Sequence, residues 1–112
     1  MIIGVGTDIL DISRVSLSKA FIERILTPDE QTLLEQISQD ARKLEFLAGR
    51  FAAKEALMKA LGTGIGKSSF QDFNVLPTPS GQPQCELPGM NVFLSISHDG
   101  GFVVAMAVLE RV

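Results

Sequence analysis

The chain has 112 residues, 46% of them hydrophobic and 21% charged, which is the composition of one folded domain, 1–112, and excludes a disordered segment. A formal net charge of −3, with seven Phe but no Trp or Tyr, excludes bulk attraction to nucleic acid and leaves few platforms for stacking bases. Cys85 is alone, so no intrachain disulfide forms; no run approaches the roughly 18 apolar residues of a membrane span, no signal peptide is visible, and a cytoplasmic protein is expected.

Residues 1–10, MIIGVGTDIL, predict a buried strand: short, rich in Ile, without Pro. Ser13 predicts the cap of a helix over 14–25. Thr27-Pro28-Asp29-Glu30 is a second helix start, with Thr27 as N-cap, Pro28 at the first helical position and Glu30 closing a capping box, and that helix is expected to reach residue 37. Asp40 opens the longest helix, 41–61, which Gly62 ends at the C′ position, with Lys59 suiting the dipole of the last turn. The texture then changes. Residues 63–67 read as a flexible link, 70–76 alternates like a strand, 77–81 is a turn and 82–87 a short strand. Residues 91–97 and 102–109 predict a hairpin across His98-Asp99-Gly100-Gly101. One strand, three helices and about four strands make an α+β fold, with a small antiparallel sheet packed on one long helix. Strand 102–109 is apolar on both faces, as expected of a central strand or of an oligomer contact.

Two acidic residues stand in unusual settings. On a strand, Gly4, Gly6 and Asp8 share a face, and the glycines are expected to clear the approach to a carboxylate. On the long helix, Glu55 falls on the stripe of Leu44, Ala48, Phe51 and Met58. A carboxylate on an apolar stripe needs a partner. If the two elements pack together, that partner is a hard divalent cation shared with a phosphate-bearing substrate. The plain alternatives are a turn carboxylate at Asp8 and an i,i+4 pair of Glu55 with Lys59. Gly62-Thr63-Gly64-Ile65-Gly66 is no Walker A loop and follows a helix instead of opening one, so it reads as a helix stop with close backbone approach to a ligand. Ser95, Ser97, His98 and Asp99 make a poor triad, since neighbours on a strand face opposite ways. Cys85 and the four Met read as packing.

Gly4-Val-Gly-Thr-Asp8-Ile9, Glu23-Arg-Ile-Leu-Thr27, Glu45-Phe-Leu-Ala-Gly-Arg50-Phe-Ala-Ala-Lys-Glu55-Ala, Lys59-Ala-Leu-Gly-Thr-Gly64-Ile-Gly66, Phe70-Gln-Asp-Phe73, Ser80-Gly-Gln-Pro83 and Ser95-Ile-Ser-His98 follow in order. With them the chain resembles the holo-(acyl-carrier-protein) synthase family of 4′-phosphopantetheinyl transferases, from residue 1 to about 110. The resemblance implies that family's fold and transfer of the 4′-phosphopantetheine arm of coenzyme A to a serine of apo acyl carrier protein in fatty acid biosynthesis, with release of 3′,5′-ADP. It implies Mg²⁺ as cofactor, held by Asp8 and Glu55 at the coenzyme A pyrophosphate, and a homotrimer with active sites between subunits. Either a metal-bound water or Glu55 takes the serine proton. Lys59 is then expected to hold a phosphate beside the metal, Arg50 and His98 to contact coenzyme A, and Gly62 to approach it. Arg14 and Arg24 match docking positions, and with Lys19 they form a basic surface for an acidic carrier. A solvated helix charge is the plain alternative for each basic residue. Asp99 departs from the Thr or Ser of many members, and an acid there is unfavourable beside a phosphate unless it points away. Two other classes fit less well: a module that binds coenzyme A or carrier without turnover, and a nucleotide pyrophosphatase, whose metal clusters need more carboxylates.

Overall fold

Local capping divides the chain into short segments, and one close helix–strand contact joins them. The computed structural model describes residues 1–62 and 68–112. Strand β1 (Ile2–Asp11) passes through a 3-10 turn at Ile12–Arg14 to helices α1 (Lys19–Ile25), α2 (Pro28–Glu35) and α3 (Asp40–Leu61). A second 3-10 turn, Phe70–Asp72, precedes the short strands β2 (Leu76–Pro77) and β3 (Pro83–Gln84) and the long hairpin of β4 (Met90–Asp99) and β5 (Phe102–Arg111). The main sheet is antiparallel in the order β1-β5-β4, and β2 and β3 pair separately. This is the expected α+β arrangement, a small antiparallel sheet on one long helix.

The N-terminal helix starts later than expected. Asp11 Oδ1 accepts both the Ser13 N–H (3.0 Å) and the Ser13 hydroxyl (2.8 Å), which closes a 3-10 turn and leaves Val15 extended. The cap is Ser18, whose Oγ accepts the Phe21 N–H at 3.3 Å. Thr27 and Glu30 form the expected capping box, though α2 ends at Glu35. Gly62 ends α3 in the left-handed region at φ 75°. The alternation of 70–76 does not become a strand. Ser69 and Asp72 cap each other across a 3-10 turn, and only Leu76–Pro77 pairs. Likewise 82–87 contributes only Pro83–Gln84 and an isolated bridge at Leu87, because Pro77 and Pro83 face each other without N–H donors to extend the ladder. The β4–β5 strands run longer than expected, so Gly100-Gly101 alone makes the turn, with φ of 57° and 84° as a tight primed turn requires. The expected link at 63–67 lies outside the described residues.

The core sits between α3 and the inner face of the sheet. Val103, Ala105, Ala107 and Leu109 of β5 are fully buried, as are Leu47, Ala48, Ala52, Ala53, Ala56 and Leu57 of α3. β1 is half covered, not buried as expected. It is an edge strand of a sheet with a helix on one side only, and Val5 and Ile9 face outward, exposed. β5 is the central strand, yet its other face (Phe102, Val104, Met106) is also exposed.

Gly4 and Gly6 serve a purpose different from the one expected. A Cβ on Gly4 would collide with the Ala60 carbonyl, and one on Gly6 with the Ala56 carbonyl. The glycines admit the backbone of α3, not a ligand. Gly6→Ala is therefore expected to lower the unfolding free energy by about 3 kcal/mol, the upper end of ordinary overpacking, in urea titration. An unchanged midpoint would contradict this contact.

Candidate active site

The close approach of β1 to α3 puts Asp8 beside the last turns of the helix. Lys59 donates from Nζ to the Thr7 carbonyl (2.9 Å) and pairs with Asp8 Oδ1 (3.3 Å). It thus pairs with Asp8, the partner across the contact, and Glu55 is half-buried one helical turn away. Burial raises the Glu55 carboxyl above its ordinary pKa, and the negative charge of Asp8 adds to this; Lys59 and Arg24 oppose it.

Asp8 and Glu55 line one cleft of about 340 Å³ with Arg14, Phe21, Arg24 and Phe51. Phe21 and Phe51 of its wall belong to a chain of rings. Phe21 stacks on Phe51 with centroids 5.9 Å apart, Phe51 meets Phe70 at 5.2 Å, and the Arg24 guanidinium lies over Phe70 at 5.5 Å. The rings tie α1 to α3 and hold Arg24 at the cleft.

The donor chemistry fits a hard cation. A half-buried carboxylate such as Glu55, whose ionisation a second carboxylate opposes, is relieved by a divalent ion, and Mg²⁺ takes one or two carboxylates, completing its shell with phosphates and waters. Among the described residues no group of three or more acidic, His or Cys side chains forms a metal cluster.

A family model described as the 4′-phosphopantetheinyl transferase superfamily matches residues 4–107. The chain belongs to that family. Within it, the chain is an enzyme of the holo-(acyl-carrier-protein) synthase type. It is 45% identical to the holo-[acyl-carrier-protein] synthase of Staphylococcus epidermidis, over 99% of this chain and 98% of that protein. To the synthase of Oceanobacillus iheyensis it is 47% identical, over 98% of each. The structure of a Bacillus anthracis holo-(acyl-carrier-protein) synthase in complex with CoA (3′,5′-ADP) superposes with a TM-score of 0.93 at 45% identity, covering 100% of this chain and 99% of that one. That of the Helicobacter pylori synthase in complex with coenzyme A gives 0.82 at 35% identity, covering 95% and 99%.

Other residues matched to the transferase pattern lie elsewhere. Arg50 is five residues before Glu55, about 140° round the helix, and turns away: its Nε donates to the Val75 carbonyl (3.2 Å) and its guanidinium covers Phe46 at 4.2 Å. His98, exposed on β4, places Nδ1 3.2 Å from Glu45 Oε2. Glu45 precedes Glu55 by ten residues, about 15 Å along α3. Gly62 closes the helix just past Lys59. Arg14 sits in the first 3-10 turn, not on the first helix, while Lys19 and Arg24 are on α1. Lys19 lines a different cavity. Asp99 ends β4 opposite Phe102, with an exposed side chain.

Sequence reasoning missed two features. Phe21 completes the cleft wall and buried Phe70 backs Phe51, although only Phe51 lay on the stripe of Glu55. Lys54 is fully buried and paired with Glu30, also fully buried. A signal existed: Lys54 falls on the α3 stripe of Leu47, Leu57 and Leu61, where a lone ammonium cannot stay unpartnered.

Among the described residues Asp8 pairs with a largely exposed ammonium, its own side chain being 16% exposed and that of Lys59 56%. Asp8→Ala is accordingly expected to change the unfolding free energy by less than about 1 kcal/mol in urea titration. A larger loss would make Asp8 a structural residue.

Proposed function

We propose that this protein transfers the 4′-phosphopantetheine arm of coenzyme A to a serine of an apo acyl carrier protein, releasing 3′,5′-ADP, with Mg²⁺ held by Asp8 and Glu55. The observation that carries this reading is the pairing of those two carboxylates in one cleft with Lys59, Arg14 and Arg24 around it. The named complexes of similar synthases with coenzyme A support the same substrate. In the transfer the carrier serine oxygen forms a bond to the phosphorus that bears pantetheine, and the pyrophosphate bridge breaks. Bound between the carboxylates, Mg²⁺ would supply charge neutralisation and alignment of the pyrophosphate. Lys59, already beside Asp8, is placed to exchange part of that pairing for a phosphate oxygen. Arg14 and Arg24 present positive charge at the cleft mouth to an acidic carrier, which raises encounter rates and orients the serine. The carrier is that of fatty acid biosynthesis, and the work is cytoplasmic. No described helix is long and apolar enough to cross a membrane.

A single copy leaves Arg50 and His98 outside the cleft, while the outer sheet face is strongly apolar. Val5, Ile9, Phe93, Phe102, Val104 and Met106 are each 44% exposed or more. Cross-strand register gathers them into rows, Val5-Val108-Phe93 and Ile9-Val104-Ser97, with Met106 between. A patch of this kind is covered when copies associate. We read the active unit as a homotrimer in which Arg50 and His98 of one copy serve coenzyme A in the cleft of the next.

Two measurements test this. Intact mass of an apo carrier incubated with the protein, coenzyme A and Mg²⁺ should rise by one phosphopantetheine, and EDTA should abolish the gain; coenzyme A binding without any gain would leave a binding module. Asp8→Ala and His98→Ala chains, each inactive alone, co-refolded in equal amounts should regain up to about a quarter of wild-type activity if sites are shared. No recovery in verified mixed assemblies would place both residues in sites of one chain.

A further inference from the structure

We infer that Lys54 is a positioning residue for carrier docking: from the buried side of α3 it anchors the end of α1 and so sets Arg24 opposite Glu55. This rests on the reading that Arg24 docks the carrier. Lys54 and Glu55 are adjacent, and a helix turns neighbours about 100° apart, so one faces the core and the other the cleft. Lys54 Nζ donates to the carbonyl of Ile25 (2.7 Å), the last residue of α1, and to Glu30 Oε1. The carboxylate of Glu30 is fully engaged: Oε1 also accepts the Thr27 N–H (2.8 Å), and Oε2 accepts the Val75 N–H (2.6 Å). Gln71 adds a second anchor, donating from Nε2 to the carbonyls of Leu26 (2.7 Å) and Glu23 (2.9 Å). The backbone on both sides of Arg24 is thereby held, at Glu23 before it and at Ile25 and Leu26 after it.

Packing alone does not place α1. The helix has seven residues, and a cavity of about 450 Å³ lined by Leu17, Ile22, Gln31 and Leu34 opens between it and α2. Its C-terminal end is located by the fully buried side chains of Ile25 and Leu26, by the Phe21–Phe51–Phe70 rings and by the polar anchor, which alone is directional. A buried ion pair is weak evidence for stability, since well-packed apolar residues often serve as well. Its value here is geometric. A directional ammonium–carbonyl bond fixes where α1 stops, which a greasy contact does not.

The test uses Lys54→Met in the full chain, with Gln71→Ala as a milder variant of the same anchor should Lys54→Met fail to fold. Hydrogen exchange needs no transfer: amides of residues 22–27 should exchange at least about tenfold faster while those of 55–60 stay protected. With an apo carrier, KM for the carrier should rise about tenfold in Lys54→Met and a few-fold in Gln71→Ala, with KM for coenzyme A within about twofold, and either effect should vanish in an Arg24→Ala background. Uniform acceleration of exchange across sheet and helices, equal rises in both KM values, or full additivity with Arg24→Ala would overturn the inference. Localised exchange in a protein whose wild type modifies no carrier would sustain the anchor and refute the carrier-docking reading instead.

Discussion

The contact on which the rest depends is the approach of α3 to β1, backbone against backbone. Glycines at positions 4 and 6 face the carbonyls of Ala60 and Ala56. Two residues of strand advance about 6.6 Å and four residues of helix about 6 Å, so the two repeats stay in step as the chains run in opposite directions. Asp8 is the next inward position on the strand. By the same step it comes level with the turn Ala52–Glu55, and since helical side chains lean toward the N-terminus, Lys59 reaches back to it. A bulkier residue at either glycine would lift the strand and separate the carboxylates.

Adjacent charges on α3 have opposite fates. Lys54 is enclosed, and its buried carboxylate partner is saturated with donors, which ties α1, α2 and the Val75 segment to the helix. Burial lowers the Lys54 pKa, while the hydrogen bond and charge of Glu30 oppose this. Glu55 is left half-buried near another carboxylate, a placement that raises its pKa. Saturation builds the frame, and incompleteness one residue later makes a site. The same incompleteness appears at the scale of the sheet. With helices on one side only, the outer rows of Val5, Ile9, Phe93, Val104 and Met106 remain uncovered in a single copy.

Features governed by neighbours in the chain were legible. The capping box of Thr27 and Glu30, the stop at Gly62 and the Gly100-Gly101 hairpin depend on a few consecutive residues, and each forms where expected. Local competition defeated the reading elsewhere. Ser13 is as good a cap as Ser18 by residue type, but Asp11 engages both its N–H and its hydroxyl. The alternation in 70–76 yields to the reciprocal cap of Ser69 and Asp72, and facing prolines keep β2 and β3 short.

By itself the sequence determined the family, the α+β order and the residues with unusual chemistry, because a carboxylate on an apolar stripe and a Gly-x-Gly-x-Asp strand are visible without coordinates. Tertiary structure alone decided how those residues are shared out. It joined Asp8, Glu55, Arg14 and Arg24 at one cleft, paired Lys59 with Asp8, turned Arg50 inward to Val75, set His98 against Glu45, and closed Lys54 on Glu30. Such pairings join residues far apart in the chain, and no periodicity encodes them. They depend on which backbones can approach closely enough to touch, and two glycines on an edge strand settle that.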